Sequence, residues 1–239
     1  MNLLSIGGSD PSAGAGIQSD IKTFSTFDVY GLTIVTAITG QNTSSFGMIE
    51  PVSKVILENQ LKSIMKDFKI DGIKIGMVYN SQIIKIIYQY LKKLKIPIVV
   101  DPVIKSTTGG MLIEKSAIVD FKKFIVPLAT IITPNKFEAE ILTKTKINSK
   151  NTPEKIAKMI QKMGAKNVVI TGIKSKNQEI KDFVLETDCP FLAPQPFRGK
   201  PNEPKYVKDI ALFISDLLDI EFEEIAIQTT NNAESFFKI

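Results

Sequence analysis

The segment Gly7-Gly8-Ser9-Asp10-Pro11-Ser12-Ala13-Gly14-Ala15-Gly16-Ile17-Gln18-Ser19-Asp20 limits more than any other what this chain can fold into. It follows the apolar run Leu3, Leu4, Ile6 and leads into a helical pattern. It therefore reads as the first strand-to-helix turn of an α/β domain, the place where such folds bind ligands. Its glycines let the backbone approach a ligand closely and adopt φ > 0, and the helix start behind them offers N–H groups to an anion or a polar ring. A small-molecule site is expected in this segment.

The rest of the chain fits that reading. With 239 residues, 44% hydrophobic and 23% charged, it can bury one large core, so a single domain over 1–239 is expected. No apolar stretch approaches the roughly 18 to 20 residues of a membrane span, and Met1-Asn2-Leu3 enters a strand without the regions of a signal peptide. A cytoplasmic location follows as an expectation. The single cysteine, Cys189, excludes an internal disulfide framework, and zero histidines remove the usual zinc ligands and any His-based triad. The formal charge of +5 comes from lysines scattered along helical stretches such as Lys92, Lys93 and Lys95, or Lys155, Lys158 and Lys162. No aromatic residues interleave with them as a base-stacking surface requires, so a solvated face is the reading and nucleic acid is not an expected partner.

β-rich runs at 3–6, 32–38, 73–76, 97–101, 129–132 and 167–171 alternate with stretches carrying apolar residues at helical spacing. That alternation implies parallel strands joined by crossover helices. Ile83, Ile84, Ile86, Ile87, Tyr90, Leu91 and Leu94 mark one such helix as a core element, with Pro97 at its end. The stretch from Cys189 through Pro204, with five prolines, reads as irregular, extended chain.

Three further segments place polar groups at the carboxyl ends of strands, where an open α/β sheet gathers its site. These are Gly40-Gln41-Asn42-Thr43, Asp101-Pro102-Val103, and Thr133-Pro134-Asn135-Lys136-Phe137-Glu138-Ala139. A carboxylate at Asp101 suits a hard cation such as Mg²⁺, or else closes an Asx-type turn before proline. Asn135 followed three residues later by Glu138 is a capping-box arrangement. Asp20, in the first turns of a helix, reads either as a site residue or as a solvent-exposed acid favoured by the macrodipole. Gln41 reads as a ligand-binding amide or as a loop residue satisfying turn carbonyls, and Val103 is compatible with packing and with lining a ligand.

Together with the opening turn, and with Asp20-Ile21-Lys22-Thr23-Phe24, Tyr30-Gly31, Lys74-Ile75-Gly76-Met77 and Lys105-Ser106, these segments resemble the hydroxymethylpyrimidine and phosphomethylpyrimidine kinases of thiamine synthesis. That family lies within the ribokinase-like superfamily, and the resemblance runs from residue 3 to about residue 172. It implies a ribokinase-like three-layer α/β/α fold with a mostly parallel central sheet, and contacts from Gly8, Asp20, Gln41 and Val103 to the pyrimidine or its hydroxymethyl group. An aminopyrimidine presents ring-nitrogen acceptors and an exocyclic amino donor, which an amide such as Gln41 matches. On the nucleotide side it implies ATP and Mg²⁺ beside Asp101, Asn135, Glu138 and Thr171, with Asp101 and Glu138 holding the metal through water. A homodimer is implied in the same way.

The resemblance breaks further on. Kinases of this family carry a Gly-Thr-Gly-Cys turn at a helix start, whose N–H groups form an anion hole, and this chain has none. The corresponding helix is read at 206–218, preceded by a loop in which Pro201 and Pro204 remove amide donors. Cys189, flanked by Asp188 and Pro190, is a poor candidate for a reactive thiolate. Where relatives carry a lysine, Thr171 stands instead, with Lys174 and Lys176 nearby; Arg198, Lys200 and Lys205 read first as a solvated loop and otherwise as charges that neutralise phosphate. Two functions remain open at this level: a phosphomethylpyrimidine kinase, or a catalytically impaired relative that binds the pyrimidine as a sensor or interaction subunit. Pyridoxal-type vitamin kinases share the fold and stand as a further substrate alternative.

Overall fold

A computed structural model describes residues 1–42, 45–106, 110–172, 193–195, 197–200 and 202–237. The chain divides into two compact units, Met1–Ile173 and Lys174–Ile239. The first contains a seven-stranded sheet in the order β3-β2-β1-β4-β5-β6-β7. The strands are β1 (Asn2–Ser9), β2 (Tyr30–Gln41), β3 (Phe46–Pro51), β4 (Gly72–Ile75), β5 (Ile98–Val100), β6 (Ile131–Ile132) and β7 (Asn167–Val168). Every pairing is parallel except β2 with β3. All six runs read from the sequence lie in this one sheet. The edge strand β3 was not expected, and the run read at 167–171 is a strand only at its start, rejoining the sheet edge through a bridge between Asn135 and Thr171.

Helices α1 (Gly16–Thr26), α2 (Lys54–Asp67), α3 (Ser81–Leu91), α4 (Ile118–Asp120), α5 (Lys136–Thr143) and α6 (Pro153–Gln161) accompany the sheet. Alternation along β1 sorts the first three. Leu4 and Ile6, both fully buried, join Leu57 and Leu61 of α2 and the α3 isoleucines in the main core. Ser5 and Gly7 point the opposite way, onto α1, where a Cβ on Gly7 would lie 3.6 Å from Ile17. The sheet is thus covered on both faces, as a parallel sheet requires.

Local chemistry explains why these helices start where they do. Asn80 accepts from the amide of Ile83 at 3.0 Å to cap α3, and Ser53 caps α2 through Ile56. In α3, Ile83, Ile84, Ile86, Ile87 and Leu91 are buried, each stabilising the fold by about 1.5–3 kcal/mol relative to an exposed side chain.

Among the described residues, the second unit is helical: a 3₁₀ turn (Pro204–Tyr206), α7 (Val207–Leu218) and α8 (Phe222–Phe237). This agrees with the helix read at 206–218. Phe197 stacks on Tyr206 with ring centroids 4.2 Å apart. No helix among the described residues is long and apolar enough to cross a membrane.

Candidate active site

The first unit gathers its polar and glycine positions at the carboxyl ends of β1, β2, β4, β5 and β6. At the end of β1 the pairing with β2 slips by one residue, so that Gly7 faces Val35 while Gly8 faces Ala37. The extra residue, Thr36, is fully buried and donates its hydroxyl to the carbonyl oxygen of Met77 at 2.6 Å. This holds Met77, just past β4, against Gly8, where a Cβ would lie 2.7 Å from its sulfur. Met77 clusters with Ala37 and Leu112, and Phe46 and Val103 pack against that cluster. Phe46 in turn faces Gln41 across β2 and β3. Gly8 and Val103 are therefore brought together around Met77, and Gln41 is tied to that cluster through its pairing with Phe46. The Gln41 side chain is half-buried, and its amide makes no hydrogen bond among the described residues.

The glycine-rich segment is an ordered loop organised by Asp10. This residue is 3% exposed, and its carboxylate accepts from the amide of Ser12 (2.9 Å), the amide of Ala15 (2.9 Å) and the hydroxyl of Ser12 (2.8 Å). Gln18 locks the other side, accepting from the amide of Asp10 at 2.9 Å and donating to the hydroxyl of Ser9 at 2.6 Å. Gly16 turns the chain into α1 with φ +62°, in a space where a Cβ would stand 2.5 Å from the carbonyl oxygen of Gly8.

Asp20 is not the solvent-exposed acid that its place near the start of α1 suggests. It reaches down to the sheet, accepting from the buried Ser5 hydroxyl at 2.5 Å and pairing with Lys74 Nζ at 3.0 and 3.1 Å. Asp101, just past β5, lies in the same field. Desolvation holds its carboxyl above the usual value, the Lys74 ammonium partly offsets this, and Asp20 adds to it.

On the far side the capping box is present in full. Asn135 Oδ1 accepts from the amide of Glu138 at 3.0 Å, and Glu138 Oε2 accepts from the amide of Asn135 at 2.9 Å. Glu138 Oε1 also accepts from the amide of Ile104 at 3.3 Å, tying α5 to the chain beyond β5. Burial pushes the Glu138 carboxyl up to about 7, against the Asn135 and Ile104 amides that lower it and with Asp101 raising it further. Thr171 pairs with Asn135 and accepts from the amide of Lys136 at 3.1 Å. Asp101, Asn135, Glu138 and Thr171 thus form one group.

Cys189, Lys174 and Lys176 lie outside the described residues. In the second unit Arg198 and Lys200 are exposed, and Lys205 pairs with Glu203 at 3.0 Å. Lys74, Met77 and Asp10 lie in the quoted motifs, but the sequence assigned none of them a role of its own. For Lys74 a signal existed: a lysine between two isoleucines in a strand flanked on both sides needs a buried partner.

A family model described as phosphomethylpyrimidine kinase matches residues 10–198. A hydroxymethylpyrimidine/phosphomethylpyrimidine kinase of Haemophilus influenzae is 38% identical over 190 residues, covering 78% of this chain and 71% of that protein. The crystal structure of a phosphomethylpyrimidine kinase from Clostridium difficile 630 superposes with a TM-score of 0.65 at 39% identity, over 71% of this chain and 76% of that one. A pyridoxal kinase from Staphylococcus aureus in complex with AMP-PCP and pyridoxal superposes with a TM-score of 0.61 at 35% identity, over 72% of this chain and 62% of that one.

Proposed function

Because the chain belongs to the phosphomethylpyrimidine kinase family, we propose that it transfers the γ-phosphoryl group of ATP to a hydroxymethylpyrimidine or its monophosphate in thiamine biosynthesis. The observation that carries this reading is the packing of Gly8 and Val103 around Met77, with Gln41 paired to Phe46 of the same cluster and Asp101 two residues before Val103. That cluster, with Gln41, suits a flat heteroaromatic ring: an apolar wall, a glycine allowing close approach, and an uncommitted amide to read the ring edge. Asp20, held from below by Ser5 and Lys74, presents its carboxylate to the amino or hydroxymethyl group. In the transfer, the acceptor oxygen bonds to the γ-phosphorus as the bond to the β,γ-bridging oxygen breaks; ADP leaves, and the proton of the acceptor hydroxyl is released to water.

The residues present fit Mg²⁺. Asp101 and Glu138 are carboxylates whose desolvation and mutual repulsion a divalent cation would relieve. Among the described residues no group of three or more acidic, His or Cys side chains could hold a metal. An ion here would complete its shell with water and phosphate oxygens, which is the habit of Mg²⁺. When bound, it supplies neutralisation of the triphosphate charge. Asn135 and Thr171 fix the backbone that frames this side. The homodimer implied by the resemblance belongs to the same proposal and is checked by light scattering.

Isothermal titration with hydroxymethylpyrimidine, with Mg-ATP and with pyridoxal tests the reading. Binding of the pyrimidine and of Mg-ATP, with pyridoxal weaker, is expected. Binding of pyridoxal in preference to the pyrimidine would reassign the substrate, and binding of neither would overturn the kinase reading.

A further inference from the structure

In β4 the residues alternate Ile73-Lys74-Ile75. The two isoleucines are 4% and 0% exposed in the main core, which turns Lys74 to the opposite face, toward α1. β4 lies between β1 and β5, so a lysine here needs a partner for its charge. That partner is Asp20, 54 residues earlier on α1, with Nζ 3.0 and 3.1 Å from its two oxygens. Ser5, paired directly with Lys74 across β1 and β4, donates to the same carboxylate at 2.5 Å. Two neighbours in the sheet therefore grip one acid from the helix above.

Gly76 explains where the ammonium goes. It follows Lys74 by two residues on the same face, and a Cβ there would stand 3.1 Å from Lys74 Nζ. The bare glycine leaves the lysine room to lie forward along the strand, toward the carboxyl edge of the sheet. There it also feels Asp101, whose charge it favours while Asp20 opposes it.

We propose that Lys74 is a positioning residue for the phosphoryl acceptor, fixing the Asp20 carboxylate toward the pyrimidine and separating its charge from that of Asp101. The proposal rests on the kinase reading above. Asp20 takes three hydrogen bonds from Lys74 and Ser5, and a carboxylate accepts about four, so an acceptor position remains for a ligand amino or hydroxyl group. Without the ammonium, the repulsion between Asp20 and Asp101 is no longer offset, and the Asp20 side chain keeps only the Ser5 hydroxyl of the two neighbours that set its direction.

The experiment uses the full chain, with Lys74→Met, Lys74→Arg, Asp20→Asn and the double variant Lys74→Met/Asp20→Asn. Each is measured by isothermal titration with hydroxymethylpyrimidine and by denaturant unfolding. Lys74→Met is expected to weaken pyrimidine binding about tenfold or more, the scale of a charge-assisted hydrogen bond. Lys74→Arg is expected to recover part of the loss, and the double variant to bind no worse than Asp20→Asn alone. An ion pair that merely pins α1 would shift the unfolding midpoint and leave the affinity of the folded fraction alone. Lys74→Met binding within twofold of wild type, or losses that multiply in the double variant, would overturn the proposal and leave the kinase reading standing. A wild-type chain that binds no hydroxymethylpyrimidine overturns the kinase reading and the role of Lys74 with it. Should Lys74→Met fail to fold, Lys74→Gln, which keeps an N–H donor without the charge, makes the same comparison.

Discussion

Glu138 gives the sharpest test of the electrostatics, because its folded environment favours the protonated form. The residue is 5% exposed, and burial raises its carboxyl from an ordinary value of 4.5 to about 7. Between those values the folded state holds a proton that the unfolded state has released, so stability falls as pH rises through this window. The rise from 4.5 to about 7 corresponds to roughly 3 kcal/mol, fully present as a penalty above pH 7 and absent below the unfolded value. Asp101, also raised, contributes in the same direction. Replacing Glu138 by Gln removes the titration but cannot accept from both the Asn135 and Ile104 amides, which costs about 1–3 kcal/mol at every pH. Urea unfolding of both proteins between about pH 4.5 and pH 8 should therefore show the variant clearly weaker at the acidic end. The gap should close by about 3 kcal/mol, or reverse, at the alkaline end. Parallel stability curves across the window would refute the argument, since they would mean that burial of this carboxylate is fully compensated by its two amide donors.

Gln41→Ala should weaken hydroxymethylpyrimidine binding by about 1–3 kcal/mol while leaving the unfolding midpoint nearly unchanged; isothermal titration with equal affinity would remove Gln41 from the site. Gly16→Ala, forced to φ +62° with its Cβ 2.5 Å from the Gly8 carbonyl oxygen, should destabilise the chain by about 1–3 kcal/mol or more in denaturant unfolding. Steady-state ATP consumption should be slower by on the order of 10²-fold per missing donor than in a relative carrying the Gly-Thr-Gly-Cys turn. Rebuilding that turn ahead of Tyr206 should raise it, and family-typical turnover by the unmodified chain would show that other groups replace those donors.

The sheet was legible because its central strands carry dense runs of Ile, Leu and Val, whose burial the α/β alternation enforces. The edge strand β3 was not, since Phe46-Gly47-Met48-Ile49-Glu50-Pro51 mixes glycine, proline and a charge and has Met48 72% exposed. Its identity comes from pairing with β2 rather than from its own pattern. The capping box of Asn135 and Glu138 was readable because both partners sit within one helical turn. The pairing of Asp20 with Lys74 was not, because a local pattern carries no information about a contact between residues so far apart in sequence. The same limit hid Met77, whose place beside Gly8 depends on a bulge that only the folded register of β1 against β2 produces.

The loop around Asp10 has the composition of a linker, rich in serine, alanine and glycine, and an untethered segment of that kind would sample many shapes. A single carboxylate with three donors closes it instead. Ordering a residue costs about 1–2 kcal/mol in backbone entropy, so a loop of this length left loose would subtract several kcal/mol from any ligand it had to close upon. Here that ordering is completed during folding, before a ligand arrives. Association at this side of the site should accordingly resemble docking onto a preformed surface, with a rate set by encounter and desolvation rather than by the capture of a wandering segment.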